Sequence, residues 1–208
     1  AYYNPYRNAE LARHPEFLEE HVWRFFEVEG GGDLSLAAHD KYCQPSVSWT
    51  AFLLNLAKTQ RLDRARLLDA SLDALERDFG QFRAGWYSRF HAALEPSPQE
   101  QEGRCERYLH LLGSHVPPTV ALALKALATL DKAGKVPLDD LLIAIPPSLL
   151  SRQKSTATAA LRLLSSAGKR APARAAEIAR TALTALVSEA ADVQQAVLDP
   201  VDRLGAAG

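Results

Sequence analysis

The chain has 208 residues and a formal net charge of −1, from 24 basic and 25 acidic side chains. This balance excludes a uniformly basic nucleic-acid binder and an acidic solvating tail, and a hydrophobic fraction of 47% is typical of a globular protein. Two cysteines far apart in sequence, with no long apolar run and no signal peptide, predict a cytoplasmic protein without membrane contact.

Helical periodicity dominates the first half of the chain and predicts an all-α fold without strands. The first predicted helix begins at Pro15 and stops before the three glycines at 30–32. Apolar stripes then predict helices over 34–42, 46–58, 63–79, 82–94 and 99–112. Most aromatic residues fall on these stripes, so we expect the following in the core: Trp23, Phe25, Phe26, Trp49, Phe52, Trp86, Tyr87 and Phe90.

Composition changes between the two halves. Every aromatic residue lies between Tyr2 and Tyr108, and every histidine and cysteine lies at or before His115. Residues 1–108 carry 13 basic and 17 acidic groups, whereas residues 109–208 carry 11 and 8, so the near-zero net charge is a cancellation. We predict a single domain with an aromatic-rich subregion, 1–115, and an Ala/Leu-rich subregion, 116–208. The absence of methionine predicts a piece of a longer protein.

A pattern of Ala, Leu, Gly and Lys residues is repeated in the second half. Residues 126–135 recur as residues 160–169, a displacement of 34, and a proline (Pro137 or Pro172) follows each copy within three residues. Gly-Lys followed by Pro is typical of a helix end, a short turn and the start of a second helix. A weaker third copy lies at 196–205. The period predicts stacked helix pairs.

The helix pairs, with their Leu and Ala stripes and their Gly or Pro turns, resemble α-solenoids of the HEAT or armadillo type. The whole chain looks like part of a large bacterial family of unknown function that is built on such repeats. Residues 117–205 resemble them best, although they lack the Asp and Arg ladder of clearer HEAT repeats. Tetratricopeptide repeats share the period but use aromatic residues that this half lacks. The resemblance implies a right-handed α-α superhelix of about nine to eleven helices and a scaffold role, and it supplies no catalytic residues.

Histidine, cysteine and glycine patterns give no support for a metal or phosphate site. His39 and Cys43, four residues apart, share one face of a helix, but no second ligand pair follows at the spacing of a zinc site. His14 and His21 also share a face, without an H-E-x-x-H motif. The glycines at 30–32 lack the lysine and the preceding strand of a phosphate-binding loop. The sequence therefore predicts no metal and no cofactor.

Catalytic motifs are equally absent from the sequence. There is no G-x-S-x-G motif, and the carboxylates of Asp69, Asp73 and Glu76 have the spacing of a solvated helix face. We therefore predict no catalytic residue and no enzymatic activity.

One stretch of the second half is strongly basic. Residues 152–180 contain seven basic side chains and one acid, Glu177. On one surface such a cluster would bind a phosphate backbone or an acidic partner. The candidate anion- or partner-binding residues are Arg152, Lys154, Arg162, Lys169, Arg170, Arg174 and Arg180.

These observations favour a non-catalytic interaction scaffold whose partner is another protein or the remainder of its own chain. The first alternative is nucleic-acid or polyanion binding through residues 152–180. Some HEAT-like proteins, including alkyl-base glycosylases, bind DNA through a basic cleft with aromatic residues, and the basic stretch here contains none. An enzyme of unknown class is the second alternative.

Overall fold

A computed structural model describes residues 10–31 and 35–187 of the chain. All regular elements in these ranges are helical and none is a strand, which confirms the predicted all-α class. The chain divides into two compact units, Ala1–Pro96 and Ser97–Gly208. The organisation as a single domain stays a prediction.

Helices of the first unit begin where the sequence provides capping side chains. After a helical end at Glu10 and Leu11, the chain is helical again from Pro15 and passes through a π-helical turn, Phe17–His21, into α1 (Val22–Glu27). The side chains of Ser35, Ser48 and Asp63 accept hydrogen bonds from the first free amides of the next three helices. The bounds are α2 (Leu36–Tyr42), α3 (Trp49–Lys58), α4 (Arg64–Glu76) and α5 (Gln81–Ala93), with a 3₁₀ turn (Pro45–Val47) before α3.

Aromatic side chains fill the core of the first unit, as predicted. Of the eight aromatic residues expected there, seven are buried and Phe25 is half-buried. The ring of Phe26 lies 5.8 Å from those of both Tyr87 and Phe90, and Trp86 stacks on Phe90 at 5.2 Å. Burial of each such side chain contributes about 1.5 to 3 kcal/mol. Three of them, Trp86, Tyr87 and Phe90, lie on α5, so this helix contributes most to the core.

The second unit is a series of helices of unequal length. Their bounds are α6 (Pro98–Glu102), α7 (Cys105–Leu111), α8 (Pro117–Lys132), α9 (Leu138–Ala144), α10 (Pro146–Leu149), α11 (Lys154–Arg170) and α12 (Ala175–Ala182). Two 3₁₀ turns, Pro172–Arg174 and Leu183–Val187, flank α12. Helix α8 packs against both α7 and α11.

The prediction of one helix over 99–112 is wrong. A capping box between Ser97 and Glu100 starts α6, which ends at the C-cap residue Gly103, and α7 begins two residues later. The described residues contain twelve α-helices, one more than the upper limit of the predicted number.

Only the first of the two Gly-Lys pairs ends a helix as predicted. Gly134 has a φ of +70° and the Lys135 amide donates to the Leu130 carbonyl, as in a glycine-terminated helix. Gly168 instead lies buried inside α11, which continues to Arg170 and ends before Pro172. Packing against neighbouring helices overrides the local glycine signal there. The predicted third copy, at 196–205, lies outside the described residues.

Candidate functional site

The predicted basic residues lie on and around α11. Its buried side carries small and branched apolar residues at helical spacing, including Ala157, Leu161 and Leu164. Its opposite side exposes Arg162 and Lys169, which are two helical turns, or about 10 Å, apart along the axis. These two cations therefore share one solvent-facing surface.

Small side chains separate these two cations. Ser165 and Ser166 lie between them and are half-buried, and Thr158 and Ala159, which precede Arg162, are half-buried as well. No acidic residue occurs anywhere in α11. A partner that contacts this surface would meet two positive charges and, near them, the small half-buried side chains of alanine, serine and threonine.

Arg170, the last residue of α11, is used within the protein. Its guanidinium donates to Oδ1 of Asp131 on α8 at 2.6 and 3.2 Å and to the Val136 carbonyl at 3.4 Å. The Asp131 side chain is 1% exposed and that of Arg170 is 32% exposed. Because a buried carboxylate without a cation is costly, this pair joins α8 to α11 and is structural in role.

Arg174 is also used within the protein. It contacts Asp139 of α9 at 2.7 Å and Glu177 of α12 at 2.6 Å. Hydrogen bonding from Arg174 holds the pKa of Glu177 below its ordinary value, and the bonds to Glu177 and Asp139 raise the pKa of Arg174. Two of the seven candidate residues, Arg170 and Arg174, therefore join segments of the second unit that are 39 and 35 residues apart in sequence.

The other five candidate residues are exposed: Arg152, Lys154, Arg162, Lys169 and Arg180. We call this set the basic surface set. The chain has a single acid, Glu177, between residues 141 and 187, and Arg174 already pairs with it. Within residues 141–187, basic side chains therefore outnumber acidic ones by seven to one.

Exposed apolar side chains occur close in sequence to this set. Ile143 on α9 is 79% exposed and Leu150, which caps α10, is 55% exposed. Leu150 lies two residues before Arg152. Apolar residues rimmed by charge are typical of protein contact surfaces.

An open groove of about 550 Å³ lies in the first unit, along α3. Asn55 and Thr59 line it on the α3 side, and Arg13 and Arg61 add positive charge. The guanidinium of Arg61 donates to the Ala12 carbonyl, and Arg13 forms an ion pair with Glu10 at 3.5 Å. Both arginines thus have contacts within the protein, and the described residues that line the groove include no histidine, cysteine or carboxylate.

A serine and a histidine meet in the core of the first unit, and their contact is structural. Ser71 Oγ lies 2.8 Å from His91 Nδ1 and donates to the Leu68 carbonyl at 2.7 Å. Both residues are at most 1% exposed. Because both side chains are buried, substrate has no access to them, and because the hydroxyl proton is donated to a carbonyl and not to the imidazole, the pair is not a nucleophile with its base.

His39 and Cys43 share a face as predicted, and the structure adds a third group that spacing alone did not indicate. One ligand atom each from His39, Asp40 and Cys43 lie within 4.8 Å of one another. In the part of the chain that the structure describes, these three residues form a group whose ligand atoms are close enough to hold a metal ion.

Residues 4–155 match the family described as Domain of unknown function (DUF6493). The chain belongs to this family. The match covers more than two thirds of the chain and ends one residue after the start of α11, so Arg162, Lys169 and Arg180 lie beyond the DUF6493 region. No curated protein and no solved structure matches the chain.

Within the described residues, no helix combines the length and the apolar character that crossing a membrane requires. The cytoplasmic location stays a prediction.

One residue of the sequence, Asp131, indicates an internal ion pair that was not predicted. Asp131 follows Leu127 and Leu130 on the apolar stripe of α8, all three of them buried. An acid on such a stripe indicates a buried cation partner, but the identity of that partner, 39 residues later, could not be read from the pattern.

Proposed function

We propose that this chain is a non-catalytic interaction module whose second unit stacks helix pairs in the manner of a HEAT-like solenoid and binds an acidic segment of another protein. The main support is the division of the basic residues into two groups. Arg170 and Arg174 pair with acids of the preceding helices, whereas the basic surface set faces solvent.

The helix-pair arrangement is supported by contacts that recur along the second unit. Helices α8 and α11, which hold the two copies of the 34-residue pattern, pack side by side. The ion pairs Asp131–Arg170 and Asp139–Arg174 each join an acid of the earlier helix pair to a base of the later one. A right-handed superhelix, in which neighbouring pairs cover each other's apolar stripes, is the arrangement that we propose.

An acidic protein partner is favoured over nucleic acid by the side chains beside the charges. Ile143 and Leu150 are exposed and precede Arg152 by nine and two residues, and they suit apolar side chains of a partner. No tryptophan, tyrosine or phenylalanine follows Tyr108, which is itself buried, so base stacking on this unit has no platform. Nucleic acid would be held by phosphate contacts alone.

Fluorescence anisotropy with three labelled probes tests the proposal: a Glu/Leu peptide, a poly-glutamate peptide and duplex DNA. We expect the Glu/Leu peptide to bind most tightly at low salt, and binding to weaken as salt screens the charges. Replacing Arg162 and Lys169 by serine should weaken binding about tenfold, and Leu150→Ser should affect the Glu/Leu peptide alone.

The matched control replaces two exposed basic residues of the first unit, Lys58 and Arg77, by serine. This variant loses the same charge and should bind as the wild type does. Equal loss in both double variants, or no binding of any probe, would contradict the proposal. Preference for DNA with a steep salt dependence would favour the nucleic-acid alternative.

A further inference from the structure

Three side chains at the end of α2 have ligand atoms close enough to share one ion. His39, Asp40 and Cys43 each offer an atom, and these atoms lie within 4.8 Å of one another. With Zn–N and Zn–S bonds of about 2.1 and 2.3 Å and a tetrahedral angle, a nitrogen and a sulfur on one zinc ion lie about 3.6 Å apart. Rotation of the His39 and Cys43 side chains, with Asp40 fixed, would bring the imidazole and the thiol within this distance of each other.

Asp40 is held rigidly by hydrogen-bond donors on two other helices. Its Oδ1 accepts from the Trp49 amide at 2.7 Å, and its Oδ2 accepts from the Thr50 amide and from Trp86 Nε1, both at 2.9 Å. The carboxylate thus joins α2 to α3 and α5 and is only 10% exposed. A fixed and partly desolvated negative charge beside His39 and Cys43 favours a bound cation.

The two outer ligands remain within reach of solvent. The His39 side chain is 25% exposed and Cys43 is half-buried. The ring of His39 lies edge-on to Trp49 at 6.3 Å, and its Nδ1 lies 3.3 Å from Asp40 Oδ1. These contacts limit the rotamers of the imidazole, so less entropy is lost when a metal binds.

We propose that His39 and Cys43, with Asp40 beside them, form a surface site for a borderline-soft divalent cation, for which Zn²⁺ is the best match. One imidazole nitrogen and one thiolate are ligands that zinc prefers, and oxygen donors complete the coordination. Binding displaces the proton of the Cys43 thiol, which is released to solvent as the sulfur–metal bond forms. The site lies wholly within the first unit and is independent of the proposed interaction surface.

Calorimetric titration of the whole chain with Zn²⁺, in a phosphine reductant, tests this site. We expect one ion per chain, and at least a tenfold loss of affinity in each of the variants Cys43→Ser and His39→Gln. Co²⁺ provides a second readout, because coordination by a thiolate gives a charge-transfer absorption band. That band should appear with the wild type and be lost in Cys43→Ser.

Cys105→Ser is the matched control, because Cys105 is the other thiol of the chain. Burial and the nearby carboxylates of Asp140, Glu102 and Glu106 raise the pKa of Cys105, so it forms a thiolate less readily. This variant should bind as the wild type does, and bound Zn²⁺ should slow alkylation of its remaining thiol, Cys43.

Three results would overturn the site: no saturable Zn²⁺ binding, unchanged affinity in both Cys43→Ser and His39→Gln, or no thiolate band with Co²⁺. Circular dichroism shows whether each variant is folded. If one of the two variants fails to fold, the other variant and the alkylation assay on Cys105→Ser decide the question.

Discussion

Gly134 has a φ of +70°, a conformation that costs an L-amino acid about 1 to 2 kcal/mol. A Cβ at this position would meet only the Arg170 side chain, at 3.9 Å, so the cost is one of backbone conformation and not of space. We expect Gly134→Ala to lower the free energy of unfolding by about 1 kcal/mol, after allowance for the stiffer unfolded chain. Urea denaturation followed by circular dichroism measures this change. Circular dichroism is preferred to tryptophan fluorescence because Gly134 lies in the second unit and all three tryptophans lie in the first.

Gly103→Ala is the control at the residue scale. Gly103 has a φ of −63°, and an added Cβ would lie 3.6 Å from the Gln99 carbonyl oxygen, which is ordinary contact. Alanine should therefore be neutral or raise stability by up to about 1 kcal/mol. If both alanine variants shift the unfolding midpoint in the same direction, the conformational explanation for Gly134 is wrong.

At the scale of elements, the Asp131–Arg170 pair fixes α11 against α8. Removing the cation leaves a buried carboxylate, and its Oδ2 already has no hydrogen-bond partner among the described residues. We expect Arg170→Met to lower the free energy of unfolding by about 2 to 3 kcal/mol, below the full cost of a broken buried pair because Arg170 is 32% exposed.

A double-mutant cycle isolates the coupling between these two residues. Asp131→Asn removes the charge that Arg170→Met leaves unpaired, so the double variant should be more stable than Arg170→Met alone. Strictly additive effects would mean that the pair contributes no coupling and that α8 and α11 are positioned by apolar contacts alone.

Periodicity and capping patterns were sufficient to predict most helices, because each pattern is local. Asp63 caps α4 at the predicted start, whereas the helix predicted from residue 46 begins at Trp49, after a 3₁₀ turn and the cap Ser48. Contacts between distant elements were not predictable: nothing near Asp40 indicates Trp86 as its donor, 46 residues later. For the same reason the sequence predicted the basic stretch but not which of its members, such as Arg170, have internal acidic partners.

At the scale of the whole molecule, the net charge of −1 conceals an asymmetry between the two units. Ala1–Pro96 carries 14 acidic and 11 basic residues, whereas Ser97–Gly208 carries 11 and 13. The units therefore have net charges of −3 and +2. Little overall repulsion keeps molecules apart, and the opposite charges of the units favour attraction between copies.

This asymmetry predicts weak self-association at pH 7 and low ionic strength, measurable as a negative second virial coefficient in light scattering. About 0.15 M salt should abolish it, since the screening length is then about 8 Å.

Exchanging Arg162 and Lys169 for glutamate changes the net charge from −1 to −5 and reverses the sign of the second unit, so attraction should be lost. Exchanging Lys58 and Arg77 for glutamate gives the same net charge but leaves the second unit positive, so attraction should persist. Equal repulsion in both variants would show that net charge, and not its distribution, governs contact between molecules.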